Sequence, residues 1–132
     1  MALRVLGVSG SLRRDSHNTR LLRAAAELLP PGAELVEFAG LKAVPPFDED
    51  DEHDPGFAVD AWNQALRDAD VVLFVTPEYN GSIPGQLKNA LDWLSRPLAE
   101  SPLRNKPAAV PLEPVYEWSM SDWSVQGVRP RR

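Results

Sequence analysis

Val71-Val72-Leu73-Phe74-Val75, running straight into Thr76-Pro77-Glu78-Tyr79-Asn80-Gly81-Ser82-Ile83-Pro84-Gly85, is the stretch on which the fold turns. An uninterrupted apolar run rich in β-branched and aromatic side chains describes a strand buried on both faces. Proline and glycine then break the pattern, and Leu87, Ala90, Leu91 and Leu94 resume it at helical spacing until Arg96-Pro97. A buried strand that opens through a turn onto a helix is half of a unit whose strands pair in parallel.

The same alternation extends in both directions. Leu3 to Val8 reads as a short buried strand closed by Ser9-Gly10. From Asn18 to Leu29 a one-sided helix is expected, with Leu21, Leu22, Ala25, Leu28 and Leu29 on its stripe and Pro30-Pro31-Gly32 as its stop. Glu34 to Phe38 is a second strand. A polar, proline-containing stretch through Asp54 then reads as a surface loop, and Ala58 to Asp68 as a helix bearing Val59, Trp62, Ala65 and Leu66. Lys106 to Val110 is a fourth, weaker strand. Strands alternating with helices predict an α/β fold: an open parallel sheet, connected by right-handed crossovers and covered by helices on both faces.

Composition narrows the chemistry. The chain has 132 residues, 43% of them hydrophobic and 25% charged, which suits one soluble domain. Nineteen acidic residues against fourteen basic ones leave a net charge of -5, so neither nucleic acid nor anionic membrane is an expected partner. The longest apolar run, Val71 to Val75, is far too short to span a bilayer, and a cytoplasmic address is expected. With no cysteine there is no disulfide, thiolate metal site or cysteine nucleophile, so any redox chemistry needs a cofactor. The acidic run Asp48 to Asp54, with His53 inside it, lacks the spacing of a calcium loop and is expected to be solvated, so no metal site is assigned.

In open parallel sheets ligands gather beyond the carboxyl ends of the strands, and two loops there carry suitable groups. The first is Gly10-Ser11-Leu12-Arg13-Arg14-Asp15-Ser16-His17-Asn18. Small residues let backbone amides approach an anion; Ser11, Ser16, Asn18 and Thr19 add short hydrogen-bonding groups, and Arg13 and Arg14 add charge. The positive end of the following helix points at the same place, so a phosphate is the natural guest. Neither a Walker loop nor a dinucleotide fingerprint is present, which favours a phosphate monoester. Helix capping by Ser16 or Asn18 explains either residue alone, but not the two arginines. In the second loop Pro77 stiffens the exit from the strand, Tyr79 offers a planar face, Asn80 and Ser82 offer groups for a ring edge, and Gly81 permits close approach. Glu78 is not assigned as a base; its carboxylate is either solvated or tied to a nearby helix end. Asn80-Gly81 also has a plain reading as a turn.

Taken together, Gly10-Ser11-Leu12-Arg13 through Ser16 and Asn18, and Pro77 to Gly85 continuing into Leu87-Lys88-Asn89-Ala90-Leu91-Asp92-Trp93, resemble the NADPH-dependent FMN reductase family of flavodoxin-like quinone, chromate and azo-dye reductases. The resemblance covers residues 3 to 110. It implies FMN as cofactor and NADPH or NADH as electron donor, with hydride passing to flavin N5, electrons passing on to a quinone, azo compound or metal oxyanion, and no protein nucleophile. It implies that Ser11, Arg13, Ser16 and Asn18, with Thr19 beside them, hold the FMN phosphate, and that Pro77, Glu78, Tyr79, Asn80, Gly81 and Ser82 wrap the ring. It also implies a homodimer or homotetramer, and Trp93, off the main stripe of its helix, is expected to face a partner subunit.

After residue 110 the pattern departs from the family. Pro111 and Pro114 remove backbone donors, and Ser119 to Arg132 shows no helical stripe long enough to cover a sheet. The expected organisation is therefore a flavodoxin-like domain over 1–110 and an atypical tail over 111–132, divergent or truncated and lacking the last helix and strand. Tyr116, Trp118 and Trp123 are candidates to cover the apolar surface so exposed. Two other readings stay open: a flavin-binding module with little or no turnover, and a non-redox phosphate-ester-binding α/β protein. Against the second stand the missing cysteine and the lack of an aspartate at the end of the first strand.

Overall fold

The computed structural model describes residues 2–111; the tail from 112 onward, with Tyr116, Trp118 and Trp123, lies outside the described residues. Four strands, β1 (Leu3–Ser9), β2 (Ala33–Glu37), β3 (Val71–Val75) and β4 (Ala108–Ala109), pair in parallel in the order β2-β1-β3-β4. Helices α1 (His17–Glu27), α2 (Phe57–Asp68) and α3 (Gly85–Leu94) make the crossovers. This is the flavodoxin-like architecture expected. The β3 strand has the boundaries read from its apolar run, whereas β4 is shorter than predicted, two residues rather than five.

Alternation along β1 sorts the two faces. Leu6 and Val8 join Val72 of β3 in a buried cluster with Val59, Trp62 and Leu66 of α2 and Leu87, Ala90, Trp93 and Leu94 of α3. Gly7 points the other way, where a Cβ would lie 2.8 Å from Leu22 Cδ1 of α1 and 2.9 Å from Leu35 Cδ2. The missing side chain thus lets α1 settle close onto the sheet. Of the stripe predicted for α1, only Leu22 is fully buried. Leu28 is 84% exposed, because the helix ends at Glu27 and the Leu28 N–H turns back to Ala25 O.

Two expectations are corrected here. Trp93 does not face outward: it is 3% exposed, donates from Nε1 to Pro45 O at 2.8 Å and meets Phe47 edge-on at 4.9 Å. Its helix is covered on this flank by the segment from Leu41 to Phe47, which a stripe drawn from apolar spacing alone does not anticipate. That segment is accordingly not a free surface loop. Leu41 and Val44 are buried, Gln86 Nε2 donates to both of their carbonyls at 2.8 Å, and Asn89 accepts from Phe47 N at 2.7 Å while donating to Pro45 O at 2.8 Å. Two prolines withhold N–H groups here, so side chains of α3 satisfy carbonyls that no strand can reach. The acidic run beyond it is exposed for most of its length, with Arg96 reaching Glu49 at 3.2 Å and Glu52 at 3.3 Å. The hydrogen bond that Arg96 donates to Glu52, then the charges of Glu52 and Glu49, raise the Arg96 pKa above its ordinary value. Exposed pairs of this kind add little stability.

Trp62 is the largest side chain sealed in the core, stacked at a tilt on Phe38 at 4.6 Å and donating from Nε1 to Ala90 O at 2.9 Å. Trp62→Ala is expected to destabilise the protein by about 3–5 kcal/mol, whereas Phe57→Ala, at a position 87% exposed, should change stability by no more than about 0.5 kcal/mol. Urea unfolding midpoints of the two variants check the contrast.

Candidate functional site

The β1 and β3 strands are neighbours, with Ser9 in register with Val75, so the loops that leave their carboxyl ends begin side by side. Gly10 N donates to Val75 O at 2.9 Å and extends the ladder by one bond. A Cβ on Gly10 would lie 2.1 Å from Thr76 Oγ1 and 2.6 Å from Thr76 Cβ, closer than atoms pack. Glycine here is a requirement of contact between the loops. The two predicted loops therefore share one crevice rim, as the flavodoxin-like order requires.

In the first loop Ser16, 2% exposed, is the N-cap of α1 and accepts from Asn18 N at 3.1 Å. Capping is thus one real role of Ser16 and of the Asn18 backbone. The chain between holds itself loosely: Ser11 Oγ accepts from Arg13 N at 3.4 Å, and Ser16 N donates to Arg13 O at 3.2 Å. The Arg13 guanidinium folds back to donate to Asp15 O at 2.9 Å, with its remaining N–H groups at an exposed position. Thr19 points its hydroxyl at Ser9 Oγ, 2.9 Å away. Among the described residues, the N–H groups of His17 and Thr19 meet no acceptor. Free helix-end amides, a serine hydroxyl and two exposed arginines form a donor set whose chemistry fits a phosphate.

The second loop is a tight hairpin turn. Tyr79 N donates to Ser82 O at 2.8 Å and Ser82 N to Tyr79 O at 3.1 Å, with positive φ at both central residues, 55° at Asn80 and 76° at Gly81. Two left-handed residues in sequence define the primed turn for which Asn-Gly is the preferred pair. Glu78 Oε1 accepts from Gly81 N at 2.6 Å, so its carboxylate braces its own turn. Thr76 Oγ1 donates to Pro77 O at 3.0 Å. The side chain of Tyr79, 51% exposed, stands at this rim with Asn80 and Ser82, also exposed.

A groove of about 440 Å³ lies beside Pro55, Asn63, Arg67 and Arg96, and another of about 370 Å³ under Val36, Phe38 and Ala65, both away from the loops. Gln86, Asn89 and Trp93, which brace the segment bordering α3, were absent from the sequence-based site. The sequence carries only half of the signal: two carboxamides within an otherwise amphipathic helix mark polar contacts without naming their partners.

Fold and site together define a flavodoxin-like α/β chain in which a loop rich in hydrogen-bond donors lies against a polar turn. Residues 3–120 match the NADPH-dependent FMN reductase family, and the chain belongs to that family. It is 47% identical over 110 residues to an NAD(P)H-dependent FMN reductase of Pseudomonas aeruginosa, a match covering 82% of this chain and 58% of that protein. It is 46% identical, again over 110 residues, to a 2-hydroxy-1,4-benzoquinone reductase of a Burkholderia species, covering 83% of this chain and 60% of the relative. Among solved structures, FerB, a flavoenzyme NAD(P)H:(acceptor) oxidoreductase from Paracoccus denitrificans, superposes with a TM-score of 0.76 at 35% identity, covering 83% of this chain and 59% of FerB. The chain thus spans about three fifths of the length of these relatives.

Because Gly10 lies against Thr76, Gly10→Ala should cost roughly 1–3 kcal/mol by overpacking. Adding Thr76→Gly should recover part of that loss, a non-additivity that thermal unfolding of the double variant measures directly.

Proposed function

We propose that this chain forms the FMN-holding part of an NAD(P)H-dependent reductase whose acceptors are quinones, with azo compounds and metal oxyanions as further candidates. The observation that carries the reading is the contact of the two loops through Gly10 and Thr76, which sets phosphate donors and a polar turn on one rim. The flavin-related and quinone-related names of relatives at 46–47% identity support it. Ser11, Arg13 and the amino end of α1 hold the phosphate, with Ser16 and Asn18 keeping that end in place. Pro77 to Ser82 border the ring: Tyr79 lends a face, Asn80 and Ser82 lend hydrogen-bonding groups, and Glu78 keeps the turn rigid through Gly81 N. When bound, FMN supplies the hydride and electron transfer between nicotinamide and acceptor. The protein's share is binding, orientation and donors aimed at negative charge on the ring.

The second reading, a flavin-binding module with little turnover, draws on the exposure of Tyr79, Asn80, Gly81 and Ser82 at the rim. A homodimer or homotetramer, a cytoplasmic address and a division into a domain over 1–110 and a tail over 111–132 complete the proposal. Among the described residues no helix is long and apolar enough to cross a membrane.

Purified protein should carry a visible flavin spectrum that bleaches on anaerobic NADPH or NADH addition and recovers with benzoquinone. A colourless protein that takes up no FMN would remove the proposal, and a yellow one that NAD(P)H leaves oxidised would select the module. Arg13→Ala should weaken FMN retention about tenfold or more, as expected for a charge-assisted contact; unchanged release on dialysis would take Arg13 out of the phosphate site.

A further inference from the structure

The Ser9 hydroxyl stands where three parts of the first loop meet. Ser9 ends β1, Thr19 sits in the first turn of α1, and Thr19 Oγ1 donates to Ser9 Oγ at 2.9 Å. On its other side Ser9 Oγ accepts from Ser11 N at 3.4 Å and reaches Ser11 O at 3.5 Å. The bond to Thr19 therefore ties the strand that launches the loop to the helix that receives it. Between these ends the described backbone–backbone bonding is slight, Ser16 N to Arg13 O at 3.2 Å. A loop with so few internal bonds loses conformational entropy on closing around an anion, unless its ends are already held.

We infer that Ser9 and Thr19 act as one positioning pair that pre-sets the phosphate loop, and that the Thr19 hydroxyl serves this tie and not the phosphate. The inference rests on the proposed FMN site. Ser9 is half-buried beneath the loop, and the Thr19 hydroxyl is already committed to it. What Thr19 offers an anion is its backbone N–H, which any side chain retains. Ser11 and Arg13 are then the side chains that touch phosphate, and Ser9 and Thr19 hold them at the right spacing. Their effect is confined to ligands that carry a phosphate, because the turn at Tyr79–Ser82 is closed by its own two bonds.

Dissociation constants for FMN and for riboflavin, which lacks the phosphate, test this in the full chain for wild type, Ser9→Ala, Thr19→Val, Thr19→Ser and the Ser9→Ala/Thr19→Val double variant. Wild type is expected to prefer FMN. Each of Ser9→Ala and Thr19→Val should cut the FMN-to-riboflavin preference about three- to tenfold, as the loss of one hydrogen bond implies. The double variant should do no worse than the poorer single one, since the pair acts as a unit. Thr19→Ser should keep the wild-type preference, and riboflavin affinity should stay level throughout, which general loosening of the fold would not allow. If Ser9→Ala does not fold, Thr19→Val against Thr19→Ser still decides, because the hydroxyl is the difference in function between them. A preference unchanged in Thr19→Val, or losses that add in the double variant, would overturn the pair. Wild type without any preference for FMN would overturn the phosphate site itself.

Discussion

Parallel pairing of β1 with β3 is the constraint on which the rest depends. The second strand in the chain goes to one side of the first, and the third strand returns to the other. The chain reverses direction across the sheet at that point, so the loops after β1 and β3 leave in company while their helices depart to opposite faces. Gly10 is the atom-level expression of this arrangement. Its amide adds a bond to Val75, and its missing side chain makes room for Thr76. Without that contact the donor set and the Tyr79–Ser82 turn would be two unrelated surface features.

The faces of the sheet are unequal. Helices α2 and α3 share a core in which Trp62 and Trp93 both bury their rings and spend their N–H groups on carbonyls, Trp62 on Ala90 and Trp93 on Pro45. Among the described residues, helix α1 stands alone on the opposite face and contributes one fully buried side chain, Leu22. The face with the larger core carries the turn at Tyr79–Ser82 through α3, and the other carries the donor-rich loop after β1. At the base of that loop Thr19 Oγ1 donates to Ser9 Oγ.

Elements with strong local patterns are legible in the sequence alone. The β3 strand follows from its unbroken apolar run, the turn after it from Asn-Gly, and α2 from the spacing of Val59, Trp62 and Leu66. Both candidate loops were legible as well, because glycine, proline and serine clusters report backbone needs that are local. The clamp on Leu41 to Phe47 was not. Nothing in Gln86 or Asn89 states that the carbonyls they satisfy lie more than forty positions away. Trp93 was misplaced for the same reason: spacing sorts a helix into faces but does not say how many neighbours each face will have.

By itself, the sequence determined the kinds of element, their order, the chemistry available at each loop and membership of a flavin-reductase family. The first three follow from short-range sterics, from periodicity and from side-chain type, and the last from the resemblance of its two loop motifs to the family. Tertiary structure alone decided which hydroxyls and carboxylates remain available to a ligand. Glu78 is engaged by Gly81, Thr19 by Ser9 and Arg13 in part by Asp15, while among the described residues the His17 and Thr19 N–H groups of α1 meet no acceptor. A side chain's inventory of donors and acceptors is set by its identity, but the partners that use them up come from wherever the fold brings the chain back upon itself.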